Sequence, residues 1–364
     1  MKIAIILGTR PEIIKMSPII RVCEEQELDY FVIHTNQHYS YEMDKIFFEE
    51  LQLPDPQYNL EVGSGTHGEQ TGKMLAGIEN ILIEEKPTAV LVQGDTNTVL
   101  AGALAASKLH IKVGHIEAGL RSYDVNMPEE VNRKLTDHIS DYLFAPTEIS
   151  RQNVLKEGVS DSKIYVLGNT IVDATLQNFA LARKNSRILK DLGLSRENFF
   201  LLTLHRAENV DVLERLEQIL EGLKLVSDKF GIPIVFPIHP RTMKRIEEFA
   251  FEEKLRAISN LLIVDPIGYM DFLILESEAK MIFTDSGGVQ EEACILKTPC
   301  ITLRDNTERP ETIDVGSNLL VGGESEKIIN GAEKMQNVEK DWDNPFGEGD
   351  SGLRIVGTLI NPGQ

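Results

Sequence analysis

Lys280-Met281-Ile282-Phe283-Thr284-Asp285-Ser286-Gly287-Gly288-Val289-Gln290-Glu291-Glu292-Ala293 is the stretch from which the fold can be read. Its apolar start reads as a buried strand, and Glu291 to Leu296 reads as the start of a helix. Between them, Ser286-Gly287-Gly288 makes a turn that aims backbone N–H groups beyond the end of a sheet. Unpaired N–H groups and the helix dipole both favour an anion there. The glycines let a phosphate approach the backbone closely. One turn further on, Glu292 is placed to meet a sugar hydroxyl such as that of a ribose. The same residues also suit an ordinary strand-to-helix turn with Asp285 or Ser286 as N-cap. The rest of the chain weighs toward the anion site.

Outward from this segment, the pattern repeats. Strand-like runs fall at Lys2–Leu7, Tyr30–His34, Ala89–Gln93, Lys112–Ile116, Asp141–Ala145 and Lys163–Leu167, with helical stretches between them. After Ile171–Asp191, which reads as a helix or connector of mixed polarity, they resume at Asn198–Leu204, Ile232–Ile238, Leu261–Val264, Lys280–Thr284, Pro299–Leu303 and Asn318–Val321. Apolar strands separated by helices predict parallel sheets covered on both faces. The 364 residues suit two domains. We expect an α/β chain with one doubly wound, Rossmann-like domain over 1–170 and a second over 171–345. A C-terminal stretch, 346–364, ends in a helix that packs back on the first. The two domains are expected to face one another across a cleft, with ligands beyond the carboxyl ends of the strands.

Composition narrows the function. A formal net charge of −20 argues against a nucleic-acid or acidic-membrane partner. No apolar run approaches the length of a membrane span. The short apolar start is followed at once by Arg10, Glu12 and Lys15, so it reads as a strand and not a signal peptide. Three scattered cysteines, without metal spacing, suggest reduced thiols in a cytoplasmic protein.

Polar clusters follow seven of these predicted strands. In the first half these are Gly8-Thr9-Arg10-Pro11-Glu12, Gln93-Gly94-Asp95-Thr96-Asn97 and His115-Ile116-Glu117-Ala118-Gly119-Leu120-Arg121. In the second half they are Leu204–Asn209, Pro237–Arg241, Asp285–Gly288 and Arg304–Glu311. Arg10, Lys15, His205 and Arg309, with the Ser286–Gly288 turn, suit a diphosphate. Asp95, Glu117 and Glu129 are carboxylates that can take or give a proton beside a sugar. Each has a plainer use. Asp95 can cap a helix, Glu129 can favour a helix N-terminus, and each cation can sit in a surface ion pair. Neither a P-loop nor GxGxxG is present. No metal-ligand spacing stands out, and His239, before Pro240, reads as structural.

In order, Gly8-Thr9-Arg10-Pro11-Glu12, Gln93-Gly94-Asp95-Thr96, His115–Arg121, Pro128-Glu129-Glu130-x-Asn132-Arg133, His205-Arg206-x-Glu208-Asn209, Asp285-Ser286-Gly287-Gly288-x-Gln290-Glu291-Glu292 and Thr307-Glu308-Arg309-Pro310-Glu311 closely resemble the motifs of the non-hydrolysing UDP-N-acetylglucosamine 2-epimerases. The resemblance runs from the first strand to the last helix. It implies a GT-B fold of two Rossmann-like domains. It also implies reversible conversion of UDP-GlcNAc to UDP-ManNAc without metal, nicotinamide or other cofactor. A cytoplasmic homodimer feeding cell-surface polysaccharide synthesis is implied as well. By motif, Arg10, Lys15, His205, Phe272, Ser286, Gly287, Gly288, Glu292 and Arg309 match UDP-binding positions. Asp95, Glu117, Glu129 and His205 match the catalytic set, and Gln37, His38 and His239 match a regulatory substrate site. Two positions depart from the pattern. Ile267 stands where many bacterial relatives have Gln. Ala207 stands where many have an Arg that helps to hold the regulatory substrate, which puts that regulation in doubt.

The chemistry implied is anti-elimination. The C2 proton has no adjacent carbonyl to acidify it, so inversion goes through loss of UDP to 2-acetamidoglucal and its return on the other face. The residues alone leave open whether Glu117 or Asp95 takes the proton. A GT-B glycosyltransferase, a hydrolysing relative that releases ManNAc, and a UDP-sugar sensor are the competing readings.

Overall fold

The computed structural model describes residues 1–36 and 41–361. Contacts divide the chain into two compact units, Met1–Ala174 with Phe346–Gln364, and Thr175–Pro345.

The first unit is built on seven parallel strands: β1 (Lys2–Leu7), β2 (Asp29–His34), β3 (Tyr58–Asn59), β4 (Ala89–Gln93), β5 (Lys112–Ile116), β6 (Tyr142–Ala145) and β7 (Ile164–Val166). Their order is β3-β2-β1-β4-β5-β6-β7, with Ile3 opposite Ala89 and Ile5 opposite Leu91 where β1 meets β4. Ile3–Leu7 and Ala89–Val92 expose no surface. Strands buried on both faces read as unbroken apolar runs, which is why they were legible. On one face Ala4, Ile6, Val90 and Val92 pack with Met74 and Ile78 of helix His67–Glu85 and with Val99 and Ala103 of helix Asn97–Lys108. Gly8 ends β1 in a space that admits no side chain, since a Cβ there would lie 2.1 Å from Thr35 Oγ1 and 2.3 Å from Thr98 Oγ1. The chain then turns into helix Arg10–Glu25, with Pro11 in its first turn, where a missing N–H costs nothing. The final helix, Ser351–Ile360, packs on it, Gly352 against Pro18. Asp173 accepts the N–H groups of Ser351 (3.2 Å) and Gly352 (2.9 Å) at the start of that helix.

The second unit holds β8 (Phe200–Thr203), β9 (Ile234–Pro237), β10 (Leu261–Val264), β11 (Met281–Thr284), β12 (Cys300–Thr302) and β13 (Asn318–Leu320). They form a parallel sheet in the order β10-β9-β8-β11-β12-β13. Phe200, Phe236, Phe283 and Ile301 fill one face with Leu216, Leu220 and Leu223 of helix Leu213–Phe230. In each sheet the order reverses once, at β1/β4 and at β8/β11. Such switch points open a crevice beyond the carboxyl ends of the strands.

Two features add to the expected elements, and one helix start is corrected. Tyr58–Asn59 is an added edge strand beside Ile33 and His34, too short to show a periodicity. Residues 171–191 form two helices, Thr170–Asn185 and Ile188–Asp191. They part where Ser186 Oγ accepts the N–H of Ile188 and donates to Asp271. The helix after β11 starts at Gly287, not Glu291, so Gly287 and Gly288 are its first turn. Among the described residues, no helix is long and apolar enough to cross a membrane.

Candidate active site

The first unit gathers its polar side chains at the ends of β1, β4 and β5. Lys15, on the second turn of helix Arg10–Glu25, puts Nζ 2.5 Å from Glu117 Oε1. Glu117 follows β5 in the left-handed region (φ 67°) and is buried. It also accepts Gln93 Nε2 at 2.5 Å and Asn169 Nδ2 at 2.9 Å. A non-glycine residue in that region marks a local conformational cost, which suits a carboxylate whose placement matters more than its comfort. Asp95, at the β4 switch-point loop, bonds Arg133 Nη2 at 2.5 Å, and its carbonyl accepts Asn132 Nδ2 at 2.9 Å. Its N-cap alternative is not used, because Thr96 caps helix Asn97–Lys108. Glu129 sits half-buried in the first turn of helix Pro128–Ile139, where the dipole favours its charge. Arg10 opens its helix with the guanidinium 4.8 Å above the Phe47 ring.

Two further carboxyls shape this end of the sheet. Glu12 is buried and accepts Gly8 N (2.6 Å), Thr9 N (3.0 Å) and Thr96 Oγ1 (2.5 Å). Burial outweighs these donors and pushes it up to about 7. Glu130 accepts Ser122 N and Oγ, both at 3.1 Å, and Arg133 Nη1 at 2.9 Å. Burial opposes its charge, but Ser122 and Arg133 hold it below the usual carboxylate range.

In the second unit, Ser286 occupies the N-cap position of helix Gly287–Ile295, directly after β11. Buried Asp285 accepts the N–H groups of His205 (3.0 Å) and Arg206 (2.8 Å) and lies 2.9 Å from His205 Nδ1. Burial would raise Asp285, but His205 and the two N–H groups more than offset it, so it is held low. That bond fixes the ring and leaves Nε2 as its other nitrogen. Glu292 accepts Tyr269 Oη at 2.8 Å. Phe272 lies half-buried on the same helix as Tyr269, Tyr269–Glu278. Arg309 is buried with Nε 2.6 Å from Glu291 Oε1. Beside it, Glu308 is held at about 2, because Arg304 outweighs the cost of burial.

The residues matched to a regulatory site fare differently. Gln37 and His38 lie outside the described residues. His239 is the exposed N-cap of helix Pro240–Glu248, with Nδ1 accepting Arg241 N at 3.2 Å and its ring 5.9 Å from that of His205. Ala207 is exposed at the start of the short helix Ala207–Val210, and Ile267 packs on a core that includes Leu201 and Val235. Sequence reading passed over Asn169, Asn132, Arg133 and Tyr269 as members of the site. Arg133 had a signal, standing in the same motif as Glu129. Asn169 had none, since its partner Glu117 lies 52 residues away.

The chain as a whole has counterparts among known proteins. Residues 21–360 match the model of the family described as UDP-N-acetylglucosamine 2-epimerase. The chain belongs to the UDP-N-acetylglucosamine 2-epimerase family. A family member from Methanocaldococcus jannaschii, named UDP-N-acetylglucosamine 2-epimerase, is 62% identical over 99% of both chains. A crystal structure of the enzyme from that organism, in complex with UDP-GlcNAc and UDP, superposes with a TM-score of 0.90 at 62% identity, covering 99% of each chain. A more distant family member from Pseudomonas aeruginosa, 43% identical over 98% of both chains, is named a UDP-2,3-diacetamido-2,3-dideoxy-D-glucuronate 2-epimerase. The two-domain α/β, GT-B-like fold is thus that of the 2-epimerase family.

Proposed function

We propose that this chain interconverts UDP-GlcNAc and UDP-ManNAc by inverting C2 of the sugar. The observation that carries the reading is the buried Lys15–Glu117 pair with half-buried Asp95 and their partners at a switch point, in a chain so similar to a named UDP-GlcNAc 2-epimerase. In the forward direction a carboxylate takes the C2 proton. The C2–H electron pair becomes the C1–C2 double bond, and the C1–O bond breaks with its electrons on the departing UDP. UDP then adds back to C1 of the 2-acetamidoglucal while C2 receives a proton on the opposite face. Glu117 or Asp95 takes the first proton. Glu129 serves the other face or steadies positive charge at C1.

The nucleotide half of the reading rests on the second unit. The Ser286–Gly288 turn and the helix dipole accept the diphosphate, and Arg309 and His205 stabilise charge developing on the leaving oxygen. By motif, Arg10 and Lys15 of the first unit are also assigned to UDP. Glu292, oriented by Tyr269, takes the ribose hydroxyls, and Phe272 lies beside the base. The chain is further proposed to act as a cytoplasmic homodimer that feeds cell-surface polysaccharide synthesis. Support for pairing comes from Val131 and Leu135, half-exposed one turn apart on helix Pro128–Ile139.

Proton NMR of the protein with UDP-GlcNAc in heavy water tests the reading. UDP-ManNAc carrying deuterium at C2, with little free sugar, is expected. Free ManNAc with UDP would point to hydrolysis. An unchanged sugar would leave a transferase or a sensor. UDP-2,3-diacetamido-2,3-dideoxy-glucuronate as a competing substrate checks the choice of sugar.

A further inference from the structure

Behind the candidate carboxylates lies a charged cluster that the proposed reaction does not use. His115, near the end of β5, exposes no surface, and neither does Asp137 of helix Pro128–Ile139. His115 Nδ1 is 2.7 Å from Asp137 Oδ1, and Nε2 is 2.8 Å from the carbonyl oxygen of Gly94. Asp137 Oδ2 accepts Gly119 N at 3.2 Å and Arg121 Nη2 at 2.7 Å. Arg121 also bonds Glu157, at 2.6 and 2.9 Å.

Counting donors decides where the protons are. A carbonyl oxygen only accepts, so Nε2 carries a hydrogen. Asp137 is the ionised partner of buried Arg121, which donates Nη2 to its Oδ2 at 2.7 Å, and the same oxygen accepts Gly119 N. An ionised carboxylate also only accepts, so Nδ1 carries a hydrogen as well. The pair therefore holds one proton more than the carboxylate–imidazole pair of a general base, in which one ring nitrogen stays free to accept.

We propose that His115, held between Asp137 and the Gly94 carbonyl with a hydrogen on each ring nitrogen, positions the Asp95 loop through Gly94. It is a positioning residue for the reaction proposed above, and its function rests on that reading. Gly94 immediately precedes Asp95 and has φ 88°, which a side chain would strain. Its N–H donates to the carbonyl of Ile116 at 3.0 Å while its carbonyl accepts from His115. One glycine thus staples the loop carrying Asp95 to the strand that leads into Glu117. Helix Pro128–Ile139 reaches the same loop three times: Asn132 holds the Asp95 carbonyl, Arg133 holds its carboxylate, and Asp137 acts through His115. A charged donor makes the Gly94 bond about twice as strong as a neutral one. A neutral ring would instead face a carbonyl or a carboxylate with a lone pair.

The charge is read by nitrogen-15 NMR of histidine-labelled protein, with His115 identified by the signal missing from His115→Gln. Two protonated ring nitrogens are expected at pH 7.5. A neutral tautomer at pH 7.5 would overturn the charge, and this result stands whether or not the epimerase reading does. Asp137→Asn removes the carboxylate that holds the second proton. Its ring should be neutral, and kcat for UDP-GlcNAc should fall on the order of 10²-fold with KM little changed. Full kcat with a neutral ring would overturn the positioning role. If Asp137→Asn does not fold, His115→Gln, which keeps one donor for Gly94, and His115→Phe, which keeps none, carry the same comparison. Gln should retain the greater kcat, and equal values would again sink the role. Wild type inactive on UDP-GlcNAc would mean that the reaction assigned above is wrong.

Discussion

Lys15 and Glu117 form an ion pair 2.5 Å long between side chains that are 10% and 5% exposed. The motifs suggest separate duties for them, a diphosphate contact and a proton-transfer carboxylate, yet in the structure each is the other's partner. Breaking a buried pair from one side strands the remaining charge at about 3 kcal/mol or more. Lys15→Met should therefore destabilise the first unit by roughly that amount, moderated by the donors Gln93 and Asn169. Lys15→Met with Glu117→Gln should cost less than the two single changes summed, by ~1–3 kcal/mol. Denaturant unfolding followed by far-UV circular dichroism measures this, and additive costs would show that the pair is not coupled.

Asp95, Glu117 and Glu129 are separable by isotope exchange. Asp95→Asn, Glu117→Gln and Glu129→Gln should each lower kcat by ~10²–10⁴-fold while UDP still binds. If two groups serve opposite faces, one variant will still exchange the C2 proton of UDP-GlcNAc with heavy water but not that of UDP-ManNAc. Another will do the reverse. Equal exchange from both sugars in all three variants would leave none of them as the C2 base.

Gly287 and Gly288 offer a test that spares the fold. A Cβ at Gly287 would find only Glu308 Oε2, at 3.9 Å, and one at Gly288 only Ser286 Oγ, at 4.0 Å. Neither has the backbone of a glycine-only position. Gly288→Ala should leave the melting temperature unchanged or slightly higher, since alanine suits a helix better. UDP affinity should nonetheless drop about tenfold or more as the methyl holds the phosphate off the N–H groups. Unchanged UDP affinity in calorimetry would remove this helix end from the diphosphate site.

Why so much of this was legible follows from where the signals lie. Ile3–Leu7, Ala89–Gln93 and Met281–Thr284 are buried on both faces, so burial writes itself as an apolar run. Glu117 and Asp285 directly follow apolar runs and Asp95 stands one residue further on, so their place at strand ends could be counted off. The partners were not legible in the same way. Asn169 reaches Glu117, His115 reaches Gly94, and Tyr269 reaches Glu292 across gaps of 21 to 52 residues, which no local period encodes. The start of the helix at Gly287 was missed because glycine is a poor helix former, and intrinsic propensity gave way to the demands of the turn.

Glu276 is a buried carboxyl without a hydrogen-bond partner for either oxygen among the described residues, and it exposes no surface. It lies on helix Tyr269–Glu278, seven residues beyond Tyr269 and so on the same face. Burial first, and then the charge of Glu292, raise it well above the usual range, so the folded chain holds it protonated. In the unfolded chain it ionises near pH 4.3. Above that pH the unfolded state binds fewer protons than the folded one. Stability contributed by the neutral form is thus complete below pH 4.3 and is lost as pH rises toward the folded value. Glu276→Met removes both the titration and the unpaired polar group, at similar length. The variant should be more stable by ~1–3 kcal/mol near neutral pH, with a gap that widens between pH 5 and 8. Trp342, the sole tryptophan, is buried in the same unit and reports the urea transition. A gap that stays constant over that range would mean that Glu276 does not change its protonation on folding.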